Sequence, residues 1–471
     1  MSFMMKSFGA EKMTMEVEII SREIIRPSNL RTSLHFPKPY KLSYLDQLVP
    51  TLYSPLIIFY DSKNHTHSKR NRSLSTQLKE SLSETLNHFY PFSGRIKDNF
   101  FVDSFDEGVP FNEARVRCHM LDFLQHSETE SLNQFLPCLP FHKEPNPEEA
   151  AQLAIQVSIF DCGGIAIGMC ASHKIADGST LRPLFFHWAA ATGGPRKKVL
   201  CLDFSEASSA SHFPPQNVLP QSLVSLVESI CFNESKHMKT RRFVFDGSAV
   251  TTLREKAKSE RVDDPTRVEA LTGFISEHAM AASRVISGPP KPTIINQAVN
   301  IRRLTKPRLP DNSAGNIFLE TSVALDRHDS AKITGIQLSG LAASLREAVQ
   351  KVNGDYISTL QGDQGFEVYC EIIQKRMTEK LGQKYPDVYT FSSWLGLDIN
   401  GLDFGWGKPI WSGIMGEVGP TSRNLIFYKK TQCGNGVEAW VTLDEKLMAI
   451  FENDPEFLAF ATLNPAWVLS Q

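Results

Sequence analysis

The stretch Ala171-Ser172-His173-Lys174-Ile175-Ala176-Asp177-Gly178 decides how the rest of the chain is interpreted. It sets a histidine and an aspartate four residues apart, with a glycine directly after the aspartate. A neutral imidazole can take up a proton near neutral pH, and a nearby carboxylate can orient the ring or its loop. Of the 13 histidines, only His173 has an aspartate four residues later. The stretch therefore predicts a general base, with a structural core histidine as the alternative.

The residues on either side of His173 predict a β-hairpin. Apolar residues alternate over 153–159 and again over 165–169, and Gly163-Gly164 between them is typical of a tight turn. The second strand would carry His173 just past its end, which is a rigid place from which to present a catalytic side chain. A helix is expected to follow from Ser179 to Ala191.

The composition indicates a globular protein of two or three domains. The chain has 471 residues, of which 41% are hydrophobic and 22% charged. Its 50 basic and 52 acidic residues give a formal net charge of -2, so no overall field attracts nucleic acid or an acidic membrane. No segment approaches the roughly 20 apolar residues needed to span a bilayer. We expect a monomer in the cytoplasm that binds neither nucleic acid nor membrane.

The pattern of cysteines and histidines predicts no metal site. The eight cysteines are scattered and form no C-x-x-C pair. His65 and His67 are the only close histidine pair, and they lie in a polar segment without a third candidate ligand. A reducing compartment fits this cysteine usage.

Changes in composition divide the chain into four parts. Residues 1–15 are predicted to be an N-terminal extension, and residues 16–192 the first domain, which carries His173. Residues 193–240 are rich in glycine, serine and proline and are predicted to be a crossover loop. Residues 241–471 form the predicted second domain. Regular periodicity also predicts a helix that starts at Leu74 and ends at Tyr90-Pro91, a strand over 294–300 and helices over 267–284, 338–351 and 366–380.

A second block, Leu402-Asp403-Phe404-Gly405-Trp406-Gly407-Lys408-Pro409, combines an aspartate, two aromatic residues and two glycines within five positions. Together with His173, Asp177 and Gly178, it resembles the plant BAHD acyltransferases. Phe160-Asp161-Cys162-Gly163-Gly164 is most similar to the branch that acetylates alkaloid hydroxyls. Further segments that carry the resemblance are Leu42-Ser43-Tyr44-Leu45-Asp46, Tyr90-Pro91-Phe92-Ser93-Gly94-Arg95, Gln297-Ala298-Val299-Asn300-Ile301-Arg302, Ala314-Gly315-Asn316 and Val437-Glu438-Ala439-Trp440-Val441.

The resemblance implies a fold as well as a reaction. The fold would be α/β, with two similar-sized domains of mixed β-sheet and flanking helices, as in chloramphenicol acetyltransferase. A long crossover would join the domains, and a channel would run between them. An acyl-CoA, by resemblance acetyl-CoA, would enter as co-substrate, with no cofactor bound permanently. A small-molecule acceptor would enter from the other mouth.

The chemistry gives the candidate residues their roles. A neutral alcohol is a poor nucleophile, so His173 would remove its proton as the oxygen attacks the thioester. By resemblance, Asp177 turns away from the ring and pairs with an arginine, for which Arg302 is the candidate. Ser392 and Trp394 are candidate donors to the oxyanion, with a packed strand end as the alternative. Ser393 is a candidate contact of the donor in the same segment.

Other candidates concern the binding of coenzyme A. By resemblance, Asp403, Gly405 and Gly407 shape the coenzyme side of the channel through a structural loop. Arg254, Lys256 and Lys258 are a candidate phosphate-binding cluster, with a solvated helix face as the alternative. Thr266, at the start of the next predicted helix, could help to bind phosphate through the helix N-terminus.

The predicted function is transfer of an acyl group from a CoA thioester to a hydroxyl of an alkaloid or terpenoid-type alcohol, in a ternary complex. An amine acceptor or a benzoyl or hydroxycinnamoyl donor is an alternative within the same family. Condensation domains of peptide synthetases use a similar histidine, but they usually carry a second histidine at the position of Ser172. A catalytically silent relative that only binds CoA or a partner is the third alternative.

Overall fold

The computed structural model describes residues 15–29, 38–61, 73–126, 129–194, 201–204, 209–232, 237–326, 338–381, 386–418 and 424–466. The predicted N-terminal extension lies outside these ranges except for its last residue. The strands are β1 (Val17–Ile25), β2 (Tyr40–Lys41), β3 (Tyr53–Tyr60), β4 (Arg95–Lys97), β5 (Phe101–Asp103), β6 (Val109–Val116), β7 (Leu153–Phe160), β8 (Ile165–Ser172), β9 (Met238–Phe245), β10 (Thr293–Asn300), β11 (Phe318–Leu325), β12 (Asp387–Ser393), β13 (Trp411–Gly413), β14 (Leu425–Lys430), β15 (Val437–Asp444) and β16 (Thr462–Leu463).

The helices of the described ranges flank these strands. They are α1 (Tyr44–Leu48), α2 (Leu74–His88), α3 (Met120–His126), α4 (Gly178–Thr192), α5 (Ser209–His212), α6 (Gln221–Cys231), α7 (Gly247–Lys256), α8 (Arg267–Ser287), α9 (Leu338–Gln350), α10 (Gly354–Thr359), α11 (Gly365–Leu381), α12 (Glu445–Phe451) and α13 (Pro455–Leu458). Short 3-10 turns occur at Tyr90–Ser93, Thr129–Phe135, Arg302–Leu304 and Ile399–Gly401. None of the helices in these ranges is both long and apolar enough to cross a bilayer.

Two mixed sheets organise the molecule into two lobes. The first sheet has the strand order β1-β6-β7-β8-β3-β13, and the second has the order β11-β10-β12-β14-β15-β9-β16. Parallel pairs, such as β6 with β7 and β10 with β12, occur beside antiparallel ones in both sheets. The prediction of two mixed α/β lobes is confirmed.

One strand crosses from the second half of the chain into the first sheet. β13 pairs antiparallel with β3, with Trp411 opposite Phe59. The first sheet is therefore completed by a strand that lies more than two hundred residues further along the sequence than β8. Nothing in the local pattern of β13 indicated this pairing.

The predicted hairpin is present and leads directly to His173. β7 and β8 pair antiparallel around a turn in which Gly163 has φ +81°, a conformation that favours glycine. All eight residues of β8 are buried, since the strand lies inside the sheet between β7 and β3. After His173 the chain enters α4, whose N-terminus is capped by the Asp177 side chain.

Local periodicity predicted the helices that pack on the sheets. Leu78, Leu82 and Leu86 of α2 are fully buried in the core of the first lobe, as their spacing indicated. The helix ends at His88, just before Tyr90-Pro91. The predicted crossover, residues 193–240, contains the helix α6, which the glycine, serine and proline content of this region did not suggest.

Candidate active site

A cavity of about 440 Å³ lies between the two lobes, and His173 lines it. The first lobe contributes side chains from β3, α4 and the segment before β3, and the second lobe contributes side chains from β10, β11, β12 and β14. The backbone N–H of His173 donates to the Leu52 carbonyl at 2.8 Å, which ties the residue to the start of β3. His173 is therefore fixed by the sheet at its strand end and opens onto the space between the lobes.

The environment of the His173 ring favours its neutral form. Burial is the largest influence on the pKa of the imidazole and lowers it below its ordinary value of 6.5, and the negative charge of Asp177 is one of several smaller influences that act in the opposite direction. Within the part of the chain that the structure describes, the Nδ1 atom is buried and has no hydrogen-bond partner, which leaves Nε2 as the ring nitrogen that can reach the cavity. The ring packs edge-on against Phe318 with a centroid separation of 5.9 Å. A neutral, held imidazole is what a general base requires.

Asp177 directs its carboxylate at Arg302. The Arg302 guanidinium donates to the two carboxylate oxygens at 2.7 and 2.9 Å, and both side chains are buried. The backbone amides of Thr180 and Ile317 donate to the same carboxylate. Burial alone would raise the pKa of the Asp177 carboxyl, but Arg302 and these amides outweigh it and hold the pKa below its ordinary value. The geometry makes Asp177 a brace between the lobes.

Asn316 is a functional candidate to which the sequence analysis assigned no role. Its Nδ2 donates to the carbonyl of His173 at 2.7 Å and to the carboxylate of Asp46 at 3.0 Å. The residue is 1% exposed, and it lines the cavity. Because it comes from the second lobe, it holds the backbone of the catalytic loop from the opposite side. An asparagine directly after a glycine in a segment of the family pattern was the available signal.

Lys174 is a second residue that sequence reasoning missed. Its Nζ donates to the backbone carbonyls of Gln47 and Val49 at 2.7 and 2.6 Å. Burial lowers the pKa of this ammonium to about 7, even though Asp46 and Glu228 act in the opposite direction. Val49 lines the cavity, so the hydrogen bonds of the buried Lys174 hold the backbone of the segment that forms this part of the cavity wall.

The three candidates of the segment 392–394 all line the cavity. Ser392, Ser393 and Trp394 lie at the end of β12 or directly after it. The Trp394 ring packs against Phe427 at 5.4 Å, and its backbone amide donates to Tyr428. The structure thus brings both predicted oxyanion donors into the same cavity as His173.

The loop that contains Asp403 is held by its own hydrogen bonds. The Asp403 carboxylate accepts from the amides of Gly405 and Gly407 at 2.8 and 2.9 Å. Both glycines have positive φ, +97° and +90°. Phe404 is buried against Trp188 at 5.0 Å. Asp403 and the two glycines do not line the cavity, so the geometry supports the structural part of their predicted role.

The predicted phosphate-binding cations pair locally. Arg254 donates to Asp264, and Lys258 pairs with Glu255. Lys256 lies over the ring of Phe460 at 5.6 Å. None of these three residues lines the cavity. Their arrangement is that of a solvated helix face, which was the alternative interpretation.

The start of α8 is already occupied by a carboxylate. Thr266 caps the helix in a capping box with Glu269, whose carboxylate accepts from the Thr266 amide at 2.7 Å. Glu269 is in turn bound by Arg346. A phosphate at this N-terminus would meet a negative charge, so the geometry argues against the predicted role of Thr266. Within the described ranges, no group of three histidine, cysteine or acidic side chains could hold a metal ion.

Comparisons with known proteins agree with this geometry. A model of the Transferase family matches residues 15–458. Limonoid 7-O-acetyltransferase of Citrus sinensis is 38% identical, over 96% of this chain and 99% of that protein. Akuammiline synthase 2 of Alstonia scholaris is 35% identical, over 96% of this chain and 98% of that protein. The crystal structure of vinorine synthase matches with a TM-score of 0.76 at 31% identity, over 97% of this chain and all of that one.

The chain therefore belongs to the Transferase family, the group of BAHD acyltransferases that the sequence pattern resembles. It is an enzyme of the O-acyltransferase class.

Proposed function

We propose that this chain transfers an acetyl group from acetyl-CoA to a hydroxyl of a plant alkaloid or terpenoid-type alcohol, with His173 as general base. The observation that carries the proposal is the position of His173, whose ring is held neutral at a strand end and opens into a cavity between the lobes. The relatives named above support it, because one of them is a limonoid 7-O-acetyltransferase.

The reaction needs both substrates in the cavity at once. The acceptor hydroxyl would lie within hydrogen-bond reach of His173 Nε2 and lose its proton as its oxygen attacks the thioester carbonyl. Ser392 and Trp394 would donate to the oxyanion of the tetrahedral intermediate. The C–S bond then breaks, and the imidazolium returns its proton to the departing thiolate. Proximity in one cavity supplies much of the rate advantage, so no covalent enzyme intermediate is required.

Asp177 supports this chemistry without touching the reacting atoms. Its pairing with Arg302 fixes the start of α4 behind the loop of His173. Asn316 adds a hydrogen bond to the carbonyl of His173 itself. These contacts hold His173 in position, because a general base works only within hydrogen-bond distance of the hydroxyl that it deprotonates.

The proposal is tested by measuring release of free CoA thiol. Acetyl-, malonyl-, benzoyl- and hydroxycinnamoyl-CoA are each incubated with the protein and a panel of alkaloid alcohols, hydroxylated triterpenoids and matched amines. We expect acetyl-CoA with an alcohol to give the fastest release, and His173→Ala to slow it by about 10²–10⁴-fold. Faster turnover with an amine would favour an N-acyltransferase. Thiol release that matches the blank for every donor would favour a silent relative.

The remaining expectations belong to the same proposal. We propose a monomer that acts in the cytoplasm and binds no nucleic acid, which the near-zero net charge supports. Acyl-CoA would be a co-substrate and not a resident cofactor. Gel filtration of the active protein over a tenfold range of concentration tests the monomer.

A further inference from the structure

The floor of the cavity is the face of the second sheet that points at the first lobe. On β10 and β11, alternate residues face the cavity, as expected for a strand. These residues are Asn296, Ala298 and Asn300 on β10 and Phe318, Glu320 and Ser322 on β11. The register places Asn300 opposite Phe318 and Asn296 opposite Ser322. The floor therefore has two ends that are four residues apart, which corresponds to about 13 Å along the strands.

One end of this floor is the reaction end. The ring of Phe318 contacts the ring of His173. Asn300, which lies opposite Phe318 on the neighbouring strand, donates from Nδ2 to the hydroxyl of Ser179, and Ser179 follows the catalytic loop. A hydroxyl that is to be acylated by way of His173 must lie at this end.

The other end carries three polar side chains at one level of β11, β10 and β12, and a fourth on the residue before β14. We call Ser322, Asn296, Thr390 and Asn424 the polar row. Asn296 is opposite Ser322 on one side and next to Thr390 on the other. Thr390 is level with Leu425, and its amide donates at 3.0 Å to the carbonyl of Asn424, the residue before Leu425. All four residues line the cavity.

The hydrogen bonds of the polar row leave one acceptor without a donor. The Ser322 hydroxyl donates to Asn296 Oδ1 at 2.7 Å. Asn424 Nδ2 donates to the Val388 carbonyl at 3.1 Å, which fixes the orientation of the amide. The Asn424 residue is 7% exposed, and its Oδ1 is buried and has no hydrogen-bond partner among the described residues. A buried carbonyl oxygen without a donor is costly, and a ligand hydroxyl would satisfy it.

We propose that the polar row binds a second oxygen function of the acceptor, a hydroxyl at the far end of the molecule from the one that is acylated. This rests on the proposed function and narrows its acceptor. The cavity volume is that of a typical small-molecule site. An acceptor that spans both ends of the floor is a rigid, apolar polycyclic skeleton with an oxygen at each end, as in an oxygenated terpenoid.

The chemistry of the polar row favours a neutral donor. Its members are amides and hydroxyls and carry no charge. A buried ammonium would need a counter-charge, whereas a hydroxyl needs only an acceptor. The polar row itself therefore favours a neutral hydroxyl, since the carboxylate on this floor, Glu320, lies outside the row, two residues from Ser322 on β11.

The test uses ligand binding, so that it does not depend on turnover. Trp394 lines the cavity, and its fluorescence reports occupancy. The protein is titrated with 5α-androstane-3,17-diol, which has a hydroxyl at each end, and with the two mono-ols that lack one of them. Asn424→Leu and Thr390→Val remove the proposed contacts, and Thr390→Val does so without a change of shape. Ser54→Ala is the matched control, since Ser54 lines the cavity outside the polar row.

We expect the diol to bind about three- to tenfold more tightly than either mono-ol, which corresponds to one net hydrogen bond. Asn424→Leu should abolish this preference, Thr390→Val should reduce it, and Ser54→Ala should preserve it. Equal affinities in the wild type, no binding of any of the three steroids, or a preference that survives Asn424→Leu would overturn the proposal.

Titration with CoA shows whether this end of the cavity binds the acceptor or the acyl donor. If Asn424→Leu weakens CoA binding and leaves the diol preference intact, the polar row serves the donor and the proposal is wrong. Failure of the thiol-release assay with a persistent diol preference would instead reject the enzymatic function and leave the subsite standing.

Discussion

Both carboxylate oxygens of Asp177 accept from the Arg302 guanidinium, and no hydrogen bond joins Asp177 to the ring of His173. The four-residue spacing of the motif therefore does not make a catalytic dyad. The spacing places the base, His173, at one end of a tight loop and places Asp177, which anchors the loop to Arg302, at the other end. The anchor reaches into the second lobe, so the position of the base depends on the contact between the lobes.

The Asp177–Arg302 pair should dominate the stability of this contact. Arg302→Met leaves a buried carboxylate without its counter-charge, and we expect the free energy of unfolding to fall by about 3–5 kcal/mol. Asp177→Asn should destabilise through the unpaired guanidinium. The double variant should lose less than the sum of the two, because it leaves no isolated charge. Urea unfolding of the four proteins measures this, and strictly additive losses would contradict it.

Loss of His173 should affect the rate and leave the fold intact. Because the ring acts as a base and does not hold the lobes together, His173→Ala should lower kcat by about 10²–10⁴-fold with little change in Tm. Asp177→Asn is the comparison, since it should lower both. A His173→Ala protein with nearly full activity would remove the basis of the mechanism.

The pH dependence of the rate should report the pKa of the His173 imidazole. Burial lowers the pKa of His173 below 6.5, so the acid limb of the kcat profile should have its midpoint below pH 6.5. The Asp177 charge raises this pKa, so Asp177→Asn should move the midpoint further toward acid. Stopped assays at constant ionic strength measure both curves. A midpoint that moves toward alkaline pH in the variant would exclude this assignment.

Gly405 should tolerate no side chain. Its φ is +97°, and an added Cβ would lie 2.9 Å from the backbone of Gly193. We expect Gly405→Ala to lower the free energy of unfolding by about 1–3 kcal/mol through strain alone, and more through the clash. Gly434→Ala is the matched control, because Gly434 has φ +81° and open space around it. Equal losses in urea unfolding would show that the contact with Gly193 does not matter.

Lys174 should make the stability rise with pH. Its pKa falls from 10.5 to about 7 on folding. Between these values the unfolded chain binds more protons than the folded one, so the free energy of unfolding should increase from pH 7 toward pH 10.5. Lys174→Met should remove this component, whereas Lys446→Met, at an exposed lysine, should retain it. Identical profiles for the wild type and Lys174→Met would refute the explanation.

The sequence predicted the elements whose signals are local. The hairpin around Gly163, the helix that presents Leu78, Leu82 and Leu86, and the position of His173 all follow from alternation, periodicity and turn residues. The roles of Asn316 and Lys174 depend on carbonyl groups that are far away in sequence, so no spacing could indicate them. The polar row escaped notice for the same reason, because its members become neighbours only through strand register.

The phosphate-binding roles stay predictions, and the structure shows the local contacts that compete with them. The sequence analysis considered the cations Arg254 and Lys258 without the acids near them. In the structure, Arg254 pairs with Asp264 and Lys258 pairs with Glu255. Thr266 was correctly expected at a helix start, but Glu269 three residues later already binds its amide. The spacing of Thr266 and Glu269 that makes this capping box was visible in the sequence.

The pairing of β13 with β3 has a consequence for biosynthesis. During translation, the open edge of β3 stays uncovered until the ribosome has made residue 413 and that segment has emerged from the exit tunnel. An unprotected strand edge invites pairing with other nascent chains. A gene truncated before that codon should yield inclusion bodies, and supplying the missing half from a separate plasmid should rescue soluble expression.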